Sequence, residues 1–311
     1  RASEDDEAAR HRTLVETWTS GAAGGTQVAM TSRAPARPVL KWAGGKTQIL
    51  SEILELLPES IGTYFEPFAG GAAVFFALAA QGRFKRAVLA DRNPDLLAVY
   101  RALQTDPEGV VGELEGMHHS EDEYYRVRAL APRSLVKRAA RVIYLNKTGY
   151  NGLYRVNRSG QFNVPFGRHK NPNFCDADNL RAAGEALAQV EIVEADFEEV
   201  CRRARRGDAV YLDPPYVPLS RTANFTAYAR HPFGPSEHER LSQSFAALER
   251  CGVRAVLSNS DTPATRALYR GFRAKKVKVA RNINSRSTAR GPVDELLVVA
   301  ERVTRPRSRA S

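Results

Sequence analysis

Residues Thr63–Ala80 read TYFEPFAGGAAVFFALAA, and the fold is decided there. A short β-prone run, Thr63–Pro67, enters a glycine turn at Ala69-Gly70-Gly71, and an apolar helix follows through Ala80. Strand, glycine turn and helix in that order open a parallel α/β sheet, in which ligands bind outside the carboxyl ends of the strands. The same alternation continues outward. Arg86–Ala90 predicts a second strand ending at Asp91, and Val190–Val193, Asp208–Asp213, Val253–Ser258, Ala274–Val279 and Glu295–Val299 predict five more, with helices between most of them. The last run follows a strand rather than a helix, which predicts a closing hairpin. The expected fold class is α/β: one doubly wound, mostly parallel sheet. Residues 95–146 interrupt it with charged helical periods, and 147–175, rich in Gly, Asn, Arg and aromatics, read as an ordered loop or short hairpin.

Composition narrows the function less than the pattern does. With 311 residues, 43% hydrophobic, the chain builds a sizeable core, yet no run approaches the roughly 20 apolar residues of a membrane span. Lys and Arg outnumber Asp and Glu by 46 to 35, a net charge of +11. That excess points to an anionic partner such as nucleic acid, or simply to a generally basic surface; charge alone leaves both open. Cys175, Cys201 and Cys251 form no C-x-x-C pair, which excludes a zinc ribbon or a disulfide framework and fits a reducing cytoplasm. No metal site is expected. Residues 1–32 lack aliphatic periodicity and the apolar core of a secretory signal, so they read as disordered or as an upstream extension, with Met30 just before the first motif.

Two segments frame a ligand site. The turn after Phe65 is not a full G-x-G-x-x-G fingerprint, which argues against a nicotinamide cofactor, but its glycines let backbone approach a ligand closely. One strand later, Asp91 stands where an acid accepts hydrogen bonds from ribose hydroxyls, or caps the helix after Asn93-Pro94. Upstream, Leu40-Lys41-Trp42-Ala43-Gly44-Gly45-Lys46-Thr47 ends like a phosphate-binding P-loop. That pattern needs Gly where this chain has Leu40, and no strand precedes it, so an NTPase reading fails. What remains is a glycine turn carrying an aromatic ring and a lysine, suited to an adenosyl or carboxylate group.

The chemistry is most legible in Ala209-Val210-Tyr211-Leu212-Asp213-Pro214-Pro215-Tyr216. An apolar strand delivers a carboxylate, two prolines and an aromatic ring into one stiff corner. Proline donates no backbone hydrogen bond, so the corner offers acceptors only. The exocyclic amine of an aromatic base carries two N–H donors. Acceptors at Asp213 and the Pro214 carbonyl bind those donors and favour the nitrogen geometry that attacks a methyl group, while Tyr216 stacks on the base. A base reaches such a corner only by leaving the duplex. The plainer alternative is a strand-end turn in which Asp213 caps the next segment. Tyr150-Asn151-Gly152-Leu153-Tyr154-Arg155 joins an aromatic, an amide, an aliphatic and a guanidinium, and Arg suits bidentate contact with guanine. A solvated surface hairpin has the same composition.

With these residues in place, the sequence resembles the Dam family of DNA adenine-N6 methyltransferases from about Leu40 to Ala300. Further strings agree in order: Leu145-Asn146, Gly149 to Leu153, Gln161 to Gly167, Thr222 to Tyr228, Ser258-Asn259 and Val293 to Leu297. The resemblance implies a Rossmann-like S-adenosylmethionine-dependent methyltransferase fold with a helical DNA-recognition insertion. It implies S-adenosylmethionine as methyl donor, held by Trp42, Lys46, Glu66, Gly70, Asp91, Asp196, Phe197 and Asp213, and catalysis by Asp213, Pro214, Pro215 and Tyr216. For DNA it implies Lys41 on the first base of the site, Tyr150 intercalating, Asn151 at the target's backbone, Leu153 and Pro165 at base edges and Arg155 on guanine, with GATC as the target. The expected division is a disordered extension at 1–32, a donor-binding part at 33–94, the recognition insertion at 95–180, a catalytic part at 181–303 and a disordered tail at 304–311. The partners expected are double-stranded DNA and a possible cognate restriction endonuclease, in a bacterial cytoplasm at the nucleoid. Arg281 to Arg290 suits phosphate contacts or a solvated loop, whereas Arg202, Arg203, Arg205 and Arg206 read as a solvated helix end. The competing readings are an adenine methyltransferase acting on RNA or single strands, and a DNA-binding protein without catalysis.

Overall fold

The structure, a computed structural model, describes residues 34–42, 44–157, 159–217, 233–280 and 292–301. The stretches 1–32, Thr222 to Tyr228, Arg281 to Arg290 and 304–311, singled out above, lie outside the described residues.

All seven expected strands form: β1 (Ile61–Glu66), β2 (Phe84–Asp91), β3 (Val190–Glu194), β4 (Ala209–Leu212), β5 (Arg254–Ser260), β6 (Arg273–Ala280) and β7 (Pro292–Ala300). They make one sheet in the order β3-β2-β1-β4-β5-β7-β6. The five strands from β3 to β5 are parallel. The closing hairpin is antiparallel, and β7 inserts between β5 and β6. The fold is therefore the doubly wound, mostly parallel α/β sheet that the alternation predicts.

Period-2 alternation of apolar side chains splits the sheet between two cores. Tyr64, Leu89, Tyr211, Val256, Leu297 and Val299 point into one. Their neighbours Phe65, Val88, Ala90, Val210, Leu212, Leu257, Leu296 and Val298 point into the other. Ala209–Leu212 is buried at every position, as a central parallel strand covered on both faces must be.

The first core is roofed by α1 (Leu50–Leu56), α2 (Ala73–Ala80) and helices from the long connection between β2 and β3. That connection contains α3 (Pro94–Thr105), α4 (Pro107–Glu115), α5 (Glu121–Ala129), α6 (Leu135–Thr148) and α7 (Ala177–Leu187). Asn93 caps α3 by accepting from the Asp95 and Leu96 amides, with Pro94 in the first turn. α3 packs on β2 and β3 while α6 lies across α3, so the helical segment shares its core with the sheet. The second core is covered by α8 (Phe197–Arg203) and α9 (Pro235–Arg250), with α10 (Pro263–Leu268) beside α9. At the end of α8, Arg202 pairs with Glu198 and Arg203 with Glu191, a solvated helix end as expected.

Candidate active site and DNA-reading hairpin

β1 and β4 are parallel neighbours, and the chain leaves them in opposite directions, toward β2 and toward β5. This is the switch point of the sheet, where the two connections diverge and leave a crevice beyond the carboxyl ends. Glu66 ends β1 and Asp213 follows β4, so both carboxyls arrive at that crevice.

Glu66 is buried and accepts a 2.8 Å hydrogen bond from the Tyr64 hydroxyl. Burial pushes its carboxyl up to about 8, helped by the nearby Asp213 charge and only partly offset by the Tyr64 hydrogen bond. Glu66 is accordingly a neutral acid at pH 7.

Among the described residues, Asp213 bonds two side chains. Lys46 Nζ sits 2.8 Å from Oδ2, and the Ser258 hydroxyl donates to Oδ1 at 2.9 Å. Ser258 spends its one proton on Asp213, so the Tyr211 hydroxyl, 2.9 Å away, must donate to Ser258. These contacts hold the carboxylate across the crevice. Lys46 is buried; its ammonium also donates to the Gly44 carbonyl and lies 4.9 Å from the centre of the Tyr216 ring. The Tyr216 hydroxyl donates to Glu295 Oε2 on β7 at 2.8 Å. The Val217 amide donates to Asn259 Oδ1 at 3.1 Å, which ties the end of the Asp-Pro-Pro-Tyr corner to β5.

The glycine turn after β1 adopts the shape that only glycine tolerates well. Gly70 has φ of +46°, and a Cβ there would stand 2.8 Å from Cδ1 of Trp42. The Gly70 amide donates to Asp91 Oδ2 at 3.1 Å, and the Asn93 amide to Oδ1 at 2.9 Å. The helix cap is thus Asn93, and Asp91 braces the turn instead. Burial raises the Asp91 carboxyl, against the backbone amides that stabilise its charge. Asp196 caps α8 through the Glu198 amide at 2.9 Å and pairs with Arg92 and Arg240. Phe197 is buried and stacks on Phe68 at 5.5 Å.

After α6, residues 149–166 fold into a hairpin with antiparallel bridges Gly149 to Phe166 and Val156 to Phe162. The Tyr150 amide donates to the Pro165 carbonyl at 2.9 Å, so two expected DNA contacts distant in sequence stand side by side. Tyr150, at the open end of the hairpin, is half exposed, at 52%. Asn151 is exposed with φ of +54°. The exposed Arg155 guanidinium donates to Asn163 Oδ1 at 2.7 Å and to the Asn163 carbonyl at 3.1 Å. Leu153 is partly buried.

Lys41 joins the hairpin through a residue to which no role was given. Buried Asn146 accepts from the Lys41 amide at 2.8 Å and returns two bonds, to the Lys41 carbonyl at 2.8 Å and the Gly152 carbonyl at 3.0 Å. The Lys41 stem lies on Gly152, where a Cβ would come within 2.6 Å. Asn146, Tyr211, Ser258, Glu295 and Asn163 are supporting residues that stood in the quoted strings without a role. Their one signal was a polar side chain at a position the apolar period assigns to the core, as for Asn146 in α6 and Ser258 in β5.

A doubly wound sheet with an acid at the end of β2, a glycine turn after β1 and Asp-Pro-Pro-Tyr after β4 defines a Rossmann-like methyltransferase. Residues 42–283 match the model of the D12 class N6 adenine-specific DNA methyltransferases, and the chain belongs to that family. A type II methyltransferase of Lactococcus lactis subsp. cremoris is 41% identical over 273 residues, 84% of this chain and 94% of that protein. The type II methyltransferase M.MjaIII of Methanocaldococcus jannaschii is also 41% identical, over 85% of this chain and 98% of its own. The DNA adenine methylase of Escherichia coli is 37% identical over 85% of this chain and 95% of its own. The chain is an adenine-specific DNA methyltransferase, and DNA is its substrate. Among the described residues no helix is long and apolar enough to cross a membrane.

Proposed function

We propose that this enzyme transfers a methyl group from S-adenosylmethionine to N6 of an adenine flipped out of duplex DNA, within GATC. The observation that carries the reading is the seat of Lys46 Nζ. A nitrogen with several N–H donors rests against Asp213 and over the Tyr216 ring. The corner therefore binds N–H donors and covers them with an aromatic face, which is what an adenine amine requires. The base amine takes the place of the ammonium at Asp213, with the Pro214 carbonyl as second acceptor, Pro215 stiffening the corner and Tyr216 stacking on the ring. Ser258 and Tyr211 hold Asp213 Oδ1, so that Oδ2 faces the reacting nitrogen.

The residues around the crevice fit the donor. Gly70 lets the Trp42 indole close on the turn, Trp42 offers a ring, Asp91 an acceptor for ribose hydroxyls, and neutral Glu66 a hydrogen-bonding acid that adds no charge. We assign Trp42, Lys46, Glu66, Gly70, Asp91, Asp196, Phe197 and Asp213 to donor binding. The donor supplies an electrophilic methyl on a sulfonium centre; the protein contributes orientation and acceptors.

For DNA, the hairpin reads the site through Leu153, Arg155 and Pro165, with Lys41 beside it, Tyr150 in the gap left by the flipped base and Asn151 at the backbone. This division places donor binding at 33–94, recognition at 95–180 and catalysis at 181–303. Such an enzyme works at the bacterial nucleoid in the cytoplasm, alone or beside a cognate restriction endonuclease. The test is to incubate an unmethylated plasmid with enzyme and donor, then digest it with an endonuclease that cuts only methylated GATC. Cutting is expected. Resistance, with adenine methylation mapping to another sequence, would end the GATC assignment.

A further inference from the structure

Tyr154 stands between Leu153 and Arg155, yet its side chain contacts the walls of the donor crevice. Its ring stacks on Trp42, with centroids 5.4 Å apart and planes 30° apart, and meets Phe162 edge-on at 5.7 Å. Its hydroxyl donates to Asp95 Oδ2 at 2.7 Å. Burial holds that hydroxyl far above the usual tyrosine range, so it is a permanent donor. Asp95 lies in the first turn of α3, four residues after Asp91, and its other oxygen accepts from Arg138 Nε at 2.7 Å.

These contacts close a ring. Asp91 holds the Gly70 amide, Gly70 lies against the Trp42 indole, Trp42 stacks on Tyr154, and Tyr154 bonds Asp95. Asp95 donates its amide to the Asn93 side chain, and the Asn93 amide returns to Asp91. Four members of the ring, Trp42, Gly70, Asp91 and Asn93, border or brace the donor crevice. Tyr154 alone belongs to the hairpin, and its backbone is continuous with the two side chains expected to read bases.

We propose that Tyr154 is a positioning residue that couples donor binding to DNA reading. The inference rests on the donor and hairpin assignments of the preceding subsection. A donor seated against Trp42, Gly70 and Asp91 sets the indole, the indole sets Tyr154, and Tyr154 sets the pitch of Leu153 and Arg155. Coupling between two binding sites is reciprocal: whatever factor the donor site adds to DNA affinity, DNA adds to donor affinity.

The experiment measures both arms on the full chain. S-adenosylhomocysteine affinity is determined with and without a short GATC duplex, and duplex affinity with and without S-adenosylhomocysteine, by calorimetry and fluorescence anisotropy. In the wild type each ligand is expected to tighten the other by the same factor, on the order of tenfold, within the range common for coupled sites. Tyr154→Ala is expected to bring that factor close to one, and Tyr154→Phe, which keeps the stack, to retain most of it. Tyr154→Leu, which fills the space without a ring face, gives the same readout if the Ala variant does not fold. A role in packing alone would lower the melting temperature of Tyr154→Ala and leave the factor unchanged; that result overturns the proposal, as does a wild type with a factor of one. If the enzyme methylates another sequence, the same four measurements on that duplex apply, so failure of the GATC reading and failure of the coupling are told apart. A wild type that binds no S-adenosylhomocysteine overturns both.

Discussion

Replacing Asp213 with alanine should cost activity and stability by separate routes, and the two can be measured apart. The side chains of Lys46 and Asp213 are 5% and 20% exposed, and 2.8 Å separates their charged atoms. Asp213→Ala leaves the Lys46 ammonium between the Gly44 carbonyl and the Tyr216 ring with no counter-charge beside it, and leaves the buried Ser258 hydroxyl without its acceptor. Breaking a buried pair costs about 3–5 kcal/mol, and a fifth of exposure at Asp213 places this case near about 3 kcal/mol. For a domain of this size that lowers the melting temperature by roughly 5 °C. Catalysis loses the acceptor for the reacting amine, a transition-state interaction worth about 3–4 kcal/mol, or roughly a hundred- to thousandfold in kcat. The assay is transfer of a tritiated methyl group to duplex DNA at saturating donor, beside a thermal melt. Adding Lys46→Met removes the stranded charge, so the double variant should regain most of the melting temperature and none of the rate. A folded Asp213→Ala protein within tenfold of the wild-type rate would refute the assigned role.

The remaining predictions concern the residues around that carboxylate. Ser258→Ala removes the donor that holds Asp213 Oδ1; a hydrogen bond to a charged group is worth about 1.5–3 kcal/mol, so kcat should fall roughly ten- to a hundredfold with the KM for duplex unchanged. A raised KM with normal kcat would mean that Ser258 serves binding instead. Asp91→Ala should weaken S-adenosylhomocysteine binding in calorimetry by about 1.5–3 kcal/mol, whereas Asp91→Asn, whose one oxygen still accepts from either the Gly70 or the Asn93 amide, should lose less. Equal and negligible losses would reduce Asp91 to a brace for the turn. Glu66 sets a pH dependence. Its carboxyl titrates near 8 when folded and near its ordinary value of 4.5 when unfolded, so between those limits the folded state binds the extra proton. Wild-type stability should therefore fall as pH rises from about 4.5 to about 8 and level off above, relative to Glu66→Gln, which mimics the neutral acid. Parallel melting curves for the two proteins across that window would show Glu66 to be ionised.

What the chain declares by itself is what repeats along it or stands together in it. The seven strands were legible because period-2 apolar runs record which faces are buried, and β4 was plain because a strand covered on both sides is apolar throughout. Asp213-Pro214-Pro215-Tyr216 was legible because its chemistry is contiguous. The place of β7 between β5 and β6 was not, since a hydrogen-bonding partner leaves no mark on either strand's own pattern. Nor was the meeting of Lys46 with Asp213, where a residue placed early by a glycine turn reaches a corner built much later in the chain. Glu66 reads as an ordinary carboxylate until burial beside Asp213 shows that it stays protonated. Arg155 reads as a free guanidinium until the hairpin closes and Asn163 receives it. Tyr154 reads as one more residue of the DNA-reading string until its ring is found on Trp42. Side-chain type and spacing follow from local periodicity and were available in advance. Protonation, pairing and coupling depend on which distant groups share a desolvated volume, and folding alone decides that.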